Sequence, residues 1–162
     1  MLPVHTLEAK QAVIQTAISR LIDRRLLRYE TAELRFEDGS WSAWRDLPIR
    51  FYTDNGEVVS VSWSKFDDLW IEPDRSLPFS IEGSTVRWVE NTLPALNQAL
   101  GQRICSVSLG TDNRAIADRR FATWTRLLLE LESGWLEVFN AFDENGYEFY
   151  ATRPEGRFER CI

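Results

Sequence analysis

The stretch LLLELESGWLEVFNAFDENGYEFY, from Leu127 to Tyr150, decides the fold class. Apolar and polar residues alternate around Ser133-Gly134, as expected for two antiparallel strands joined by a tight turn. Asp143 to Gly146 is typical of a second hairpin turn, because Asp, Asn and Gly accept the backbone angles that such turns need. The stretch therefore predicts antiparallel sheet with acidic and aromatic side chains along its rim.

Further strands are predicted where the apolar period is two and where turn residues such as Asp38-Gly39 and Asp54-Asn55-Gly56 follow. They are Thr31 to Glu37, Trp41 to Trp44, Ile49 to Thr53, Glu57 to Trp63, Leu69 to Glu72, Thr85 to Glu90 and Arg103 to Leu109. The segments Glu33 to Trp44 and Leu127 to Phe139 resemble each other, each being an acidic and apolar strand, a Gly turn and a Trp-led strand. A duplication and independent selection by similar hairpins both explain this likeness.

Two helices complete the predicted fold. Thr6 to Arg28 has an N-cap residue, an apolar stripe and basic residues near its end, which favours one long N-terminal helix. Ala95 to Leu100, between Pro94 and Gly101, predicts one short helix, and Gly110 to Arg120 predicts a mobile loop.

The predicted fold class is α+β, with mainly antiparallel sheet. The predicted organisation is a single domain over residues 1–162, with sub-halves 1–75 and 76–162 around the connection Pro73 to Pro78.

Composition narrows the classes of function. The chain has 25 acidic and 19 basic residues, a net charge of -6 and a pI near 4.9, which argues against a nucleic-acid partner. Met1 to Lys10 lacks the pattern of a signal peptide, and no apolar run is long enough to span a membrane, so a cytoplasmic protein without a membrane partner is expected. Cys105 and Cys161 are interpreted as free thiols, with Cys105 pointing toward the core.

No catalytic, metal or cofactor motif stands out in the sequence. The one histidine, His5, lies near the N-terminus, and no Gly-rich phosphate loop is present. Asp67-Asp68 and Asp143-Glu144 are acidic pairs of the kind that can ligate a hard cation, but adjacent carboxylates on a strand face opposite sides and those in a turn usually face water. The sequence therefore predicts a protein that is not an enzyme and has no cofactor and no metal site.

Tryptophan is abundant, with seven residues in the chain. Most are expected in the core because each buries a large apolar area, but Trp41 and Trp44 follow a turn, so at least one of them is predicted to be partly exposed. Exposed Trp beside Arg and acidic groups is typical of protein-protein interfaces.

The runs Ser133 to Phe149, SGWLEVFNAFDENGYEF, and Gly101 to Leu109, GQRICSVSL, resemble small bacterial immunity proteins of polymorphic toxin systems. The resemblance covers roughly the C-terminal third and implies a cytosolic protein that neutralises a cognate toxin by binding it. The predicted partner-binding residues are turn-borne acidic or aromatic groups: Trp41, Trp44, Asp67, Asp68, Asp143, Glu144 and Tyr147. One alternative is a small-ligand-binding or metabolic protein with a Trp-lined pocket, and another is a homodimer formed through an exposed strand. An enzyme that uses paired carboxylates in a cleft ranks last.

Overall fold

In residues 4–116 and 118–162, which the computed structural model describes, eleven β-strands form two antiparallel sheets. Side chains are described for all of these residues except 113–116 and 121. Met1 to Pro3 and Ala117 lie outside the described residues. The first three belong to the N-terminal segment in which no signal peptide is predicted, and Ala117 belongs to the predicted loop. An α+β fold with antiparallel sheets is confirmed.

The first sheet, sheet 1, has the hydrogen-bonded strand order β2-β1-β3-β4-β5, and β6 also pairs with β1, at Glu30 to Leu34. Its strands are β1 (Leu26–Arg35), β2 (Trp41–Ala43), β3 (Ile49–Thr53), β4 (Val58–Ser64), β5 (Asp68–Glu72) and β6 (Val86–Glu90). The tight turn Asp54-Asn55-Gly56 joins β3 to β4, with Gly56 at a φ of 81° that glycine accepts without strain.

The second sheet, sheet 2, has the strand order β10-β9-β8-β7-β11. Its strands are β7 (Ile104–Ile116), β8 (Arg119–Leu131), β9 (Gly134–Asn140), β10 (Asn145–Tyr150) and β11 (Phe158–Arg160). The predicted hairpins around Ser133-Gly134 and Asp143 to Gly146 are confirmed, since Leu131 pairs with Gly134 and Asn140 pairs with Asn145.

The two sheets repeat one pairing scheme about 78 residues apart in the chain. Leu26 pairs with Thr53 and Tyr29 with Phe51 in sheet 1, whereas Ile104 pairs with Leu131 and Val107 with Leu129 in sheet 2. In each sheet the last strand, β6 or β11, returns to pair with the first, β1 or β7. The chain passes from sheet 1 to sheet 2 between β6 and β7. Strand β6 therefore belongs to sheet 1, although it follows the connection Pro73 to Pro78.

A reciprocal set of backbone hydrogen bonds joins the two sheets where their first strands begin. The Asp23 N–H donates to the Ile104 carbonyl at 2.8 Å, and the Gly101 N–H donates to the Leu26 carbonyl at 2.7 Å. Both Asp23 and Gly101 have positive φ, at 62° and 80°, so the chain makes the same left-handed turn before β1 and before β7.

One buried apolar cluster contains residues from both sheets and from the helix α1 (Leu7–Ile18). Trp63 of β4 is completely buried, and its indole N–H donates to the Val138 carbonyl of β9 at 2.9 Å. Ile14 and Ile18 place the apolar face of α1 in the same cluster. No helix in the described part of the chain is long and apolar enough to cross a membrane.

Three expectations from the sequence are wrong in detail. The N-terminal helix begins after the predicted cap Thr6 but ends at Ile18, and a 3₁₀ turn over Ser19–Leu21 precedes β1, because pairing of β1 with β3 claims the residues from Leu26 onward. The short helix is a 3₁₀ turn over Leu96–Ala99. The segment predicted as a mobile loop, Gly110 to Arg120, largely extends the β7–β8 hairpin instead.

The cysteine prediction needs one correction. Both cysteines are free thiols in the structure. Cys105 is only half-buried, because the register of β7 shifts between Ile104 and Ser106 and places Ile104, instead of Cys105, in the core. The buried thiol is that of Cys161, whose pKa burial raises to about 11.

Candidate functional site: an aromatic and acidic cleft

An open cleft of about 570 Å³ lies where three connections of the chain meet beside β4 and β5. We call it the aromatic cleft. The connections are β2–β3, the segment after β5 and the β9–β10 turn. The residues that line it are Trp44, Asp46, Ser62, Ser64, Lys65, Asp68, Trp70, Pro78, Phe79 and Asp143.

Two buried asparagines hold these connections in place. The Asn145 side chain accepts from the Trp63 N–H at 2.7 Å and donates to the Leu47 carbonyl at 3.0 Å. Asn140 donates to the Lys65 carbonyl at 2.9 Å and accepts from the Asp143 N–H at 3.1 Å. Side-chain amides with several backbone partners fix loop backbone that no sheet ladder satisfies.

Aromatic side chains form the apolar part of the cleft. The rings of Trp44 and Phe79 contact each other with centroids 5.9 Å apart and a tilt of 53°, and Trp70 is buried at the base. The Trp44 indole N–H donates to Asp46 Oδ2 at 3.0 Å, which fixes the ring at the rim.

A second, shallower depression adjoins the aromatic cleft and adds more exposed aromatic surface. It is lined by Lys65, Phe66, Phe142 and Asp143, so it shares Lys65 and Asp143 with the cleft. Phe142 is 85% exposed and Phe66 is also exposed. Phe142 and Asp143 both have positive φ, at 58° and 70°, which lifts the tip of the β9–β10 turn toward solvent. We call the following four side chains the aromatic rim: Phe142, Phe66, Phe79 and Trp44.

At one end of the cleft, charged side chains converge on the β4–β5 turn. His5 Nδ1 lies 3.1 Å from Asp67 Oδ1 and 2.7 Å from Asp68 Oδ1. The carboxylates of Asp67 and Asp68 therefore point to one place, and the expectation that they face opposite sides is wrong. The reason is that Asp67 is the last residue of the turn and Asp68 the first of β5, so strand alternation does not separate them.

Lys10 of α1 lies behind this group and is completely buried. Its Nζ donates to the Trp124 carbonyl at 2.8 Å, lies 3.5 Å from Asp67 Oδ2 and lies 5.4 Å from the centroid of the Trp63 ring. Burial lowers the pKa of Lys10, and the nearby carboxylate of Asp67 opposes that shift.

The outer face of sheet 2 carries a separate buried ion pair. Arg126 holds Glu137 through two contacts, Nε to Oε1 at 2.7 Å and Nη2 to Oε2 at 3.1 Å, and the carboxylate of Glu137 is nearly inaccessible. Burial, followed by the charge of Glu137, raises the pKa of the neighbouring Tyr150 to about 12. This network stabilises sheet 2 and lies apart from the residues that line the cleft.

The predicted partner-binding residues divide into two groups. Trp44, Asp68 and Asp143 line the aromatic cleft, and Asp67 lies beside it in the His5 group. Trp41 lies on β2 with Arg87 stacked 4.3 Å from its ring centroid, away from the cleft lining. Glu144 is half-buried, and Tyr147 lies on β10 and packs against the core, where burial raises its pKa far above the usual range.

Sequence reasoning missed several residues that build the cleft. Lys10 lies one helical turn before Ile14, so its position on the apolar stripe of α1 was a signal of burial. Asn140 and Asn145 flank the turn symmetrically, and a pair of Asn residues at strand ends signals side-chain bonds to loop backbone. Phe79 and Phe142 gave no signal, because they lie in connections whose positions depend on tertiary packing.

Comparison with known proteins found no match: no protein-family model matches the chain, and no curated protein and no solved structure is significantly similar to it.

Proposed function

We propose that this protein binds a partner protein through the aromatic cleft and its aromatic rim, as a non-catalytic inhibitor. Following the resemblance of its C-terminal third to immunity proteins, the proposed partner is a cognate bacterial toxin that it neutralises in the cytoplasm. The observation that carries the proposal is the exposed Phe142 next to an open cleft with Trp44 and Phe79.

Exposed aromatics on a fixed scaffold have the properties of binding hot spots. Anchors of this kind lose little conformational freedom on binding when their backbone is already held in place. Asn140 holds the turn that carries Phe142, and Asp46 holds Trp44. The rim can therefore insert into pockets of a partner with little ordering of its own loops.

Charge supplies a second argument. The cleft presents Asp46 and Asp143 with the single ammonium group of Lys65, in a chain whose net charge is -6. A basic surface on the partner would complement these carboxylates and speed association at low salt. Raising the salt concentration should then slow association more than it speeds dissociation.

Co-purification tests the proposal directly. The tagged protein is isolated from its native host at low and at moderate salt, and any stoichiometric partner is identified by mass spectrometry. The expected result is one partner that carries a toxin-like domain. Recovery of the protein alone, from cells shown to express a neighbouring toxin gene, would contradict the proposed function.

Variants then locate the interface. Phe142→Ala and Trp44→Ala should each weaken partner binding by about 2 kcal/mol, or about thirtyfold in Kd, if the rim supplies the hot spots. Phe36→Ala is the matched control, because Phe36 is also an exposed Phe but does not line the cleft. Trp41→Ala distinguishes the cleft from the wider set of residues predicted from sequence, and it should leave Kd nearly unchanged.

A second candidate function is small-ligand binding, which the size of the cleft favours. Its volume of about 570 Å³ lies within the range of small-molecule pockets, and Trp44 and Trp70 line it as the predicted Trp-lined pocket requires. A metabolite screen read by Trp fluorescence and thermal shift tests this alternative. A ligand whose effect is lost in Trp44→Ala but kept in Trp41→Ala would favour it over protein binding.

A further inference from the structure

We propose that His5, Asp67 and Asp68 form a binding site for a divalent transition-metal ion, for which Zn²⁺ is the probe. His5 Nδ1, Asp67 Oδ1 and Asp68 Oδ1 are the proposed ligand atoms. Each of the three residues offers one possible ligand atom, and these atoms lie within 4.8 Å of one another. The site is independent of the proposed function, although Asp68 also lines the aromatic cleft.

The four carboxylate oxygens are divided between two kinds of neighbour. Both Oδ1 atoms face His5, at 3.1 Å from Asp67 and 2.7 Å from Asp68. Both Oδ2 atoms face ammonium groups, with Asp67 Oδ2 at 3.5 Å from Lys10 Nζ and Asp68 Oδ2 at 3.7 Å from Lys65 Nζ. The lysines therefore orient the carboxylates from behind, as outer groups do around metal ligands, and leave one oxygen of each carboxylate for the ion.

Hydrogen bonds to the backbone fix the positions of the segments that carry the three proposed ligands. Val4 and Leu69 exchange both of their backbone hydrogen bonds, at 3.1 and 3.2 Å, which brings His5 against the start of β5. Thr6 then caps α1 by accepting from the Ala9 N–H. The Asp68 side chain is only 4% exposed, whereas that of His5 is 62% exposed, so an ion can enter from solvent and reach a fixed carboxylate.

The donor set selects the class of metal. One imidazole nitrogen with two carboxylate oxygens suits Zn²⁺, Co²⁺ and similar ions, whereas Mg²⁺ and Ca²⁺ prefer sets made of oxygen alone. Three protein ligands would leave at least one coordination position for water.

Charge compensation is compatible with a bound dication. Lys65 is 81% exposed and can move away from Asp68 at little cost. Lys10 is completely buried and lies 3.5 Å from Asp67 Oδ2, the oxygen that does not face His5, so it does not occupy the position proposed for the ion.

Calorimetric titration of tag-free protein with Zn²⁺, after removal of bound metal with a chelator, tests the site. The expected result is saturable binding of one ion per chain, with Mg²⁺ at the same concentration unable to compete. His5→Gln should weaken Zn²⁺ binding at least about tenfold, because it removes a direct ligand from an exposed position that the fold does not need. Asp143→Asn, which changes a carboxylate of the same cleft outside the site, should leave the affinity within about twofold.

A second readout locates the ion. His5 is the only histidine of the chain, so its ring resonances in an NMR spectrum report this site alone. They should shift in proportion to Zn²⁺ up to one equivalent, and far-UV circular dichroism should show that His5→Gln is folded. Absence of saturable binding, equal affinity in His5→Gln, or unmoved His5 resonances at saturation would overturn the proposal.

Discussion

Asn145 satisfies backbone groups of two separate segments, and its replacement should be among the costliest single changes in the protein. It is completely buried, accepts from the Trp63 N–H and donates to the Leu47 carbonyl. Asn145→Ala leaves both buried groups without these partners, so we expect a loss of about 3 kcal/mol of unfolding free energy, measured by urea denaturation. Gln98→Ala, an exposed amide on the 3₁₀ turn before β7, should cost no more than about 0.5 kcal/mol, and equal losses would contradict the role given to Asn145.

Tyr150 should make the unfolding free energy depend on pH, and its surroundings determine the sign of this dependence. Burial first, and the Glu137 carboxylate second, raise its pKa from 10 to about 12 in the folded protein. The unfolded chain loses this proton near pH 10 while the folded protein keeps it. Stability is therefore full below pH 10 and falls as the pH rises toward 12. Between pH 10 and 11.5, the wild-type protein should lose about 1 kcal/mol more unfolding free energy than the Tyr150→Phe variant. This value is reduced for solvent screening, because the side chain is partly exposed.

Urea denaturation at pH 8, 10 and 11.5 measures that difference. Below pH 10 the Phe variant should be slightly less stable, because it lacks the hydroxyl that bonds to Glu137. Parallel stability curves for the two proteins between pH 10 and 11.5 would show that Tyr150 keeps an ordinary pKa.

At the residue scale, the sequence predicts part of the cleft and no more. Residue type and turn position were enough to select Trp44, Asp68 and Asp143, because acidic and aromatic groups at turns are seldom needed for packing. The partners of these residues depend on distance in space. Asp143 lies beside Lys65 only because Asn140 links the two turns across more than 70 residues of chain.

At the scale of elements, the turn that starts each half offers a matched pair of substitutions. Gly101 has a φ of 80°, and a Cβ added there would meet nothing within 4 Å, so the cost of Gly101→Ala is conformational rather than steric. We expect a loss of about 1 kcal/mol in thermal or urea unfolding. Asp23 has the same left-handed conformation, so Asp23→Gly should be neutral or should stabilise by about 0.5 kcal/mol. Destabilisation by both substitutions would show that the two turns are not equivalent.

Hairpins were the elements that sequence predicted best. The turns at Asp54 to Gly56 and Ser133-Gly134 carry their own backbone preferences, so local chemistry determines them. The end of α1 and the extended β7–β8 hairpin were predicted wrongly for one reason. Leu26 to Arg28 and Gly110 to Ile116 have helical or loop-like composition, and their strand structure comes from pairing with distant strands.

At the scale of the whole molecule, the two sheets complete each other. Trp63 and Lys10 each donate to a carbonyl of sheet 2, those of Val138 and Trp124, and Gln15 donates to the Cys161 carbonyl at 2.8 Å. The apolar faces of both sheets lie in one cluster. Each half therefore lacks, by itself, both the cover for its apolar face and the acceptors for its buried donors.

This interdependence predicts that the halves fold only together. Fragments 1–83 and 84–162, produced separately, should show no cooperative thermal transition by circular dichroism, because each exposes its apolar face and β6 loses its pairing with β1. The matched control is the full chain with a specific protease site inserted at Gly83, in the exposed segment Glu82 to Ser84, and cleaved after folding. The cleaved protein has nearly the same two fragments but keeps the shared core, so it should stay assembled and unfold in one transition. Cooperative unfolding of either isolated fragment would instead make that half an independent folding unit.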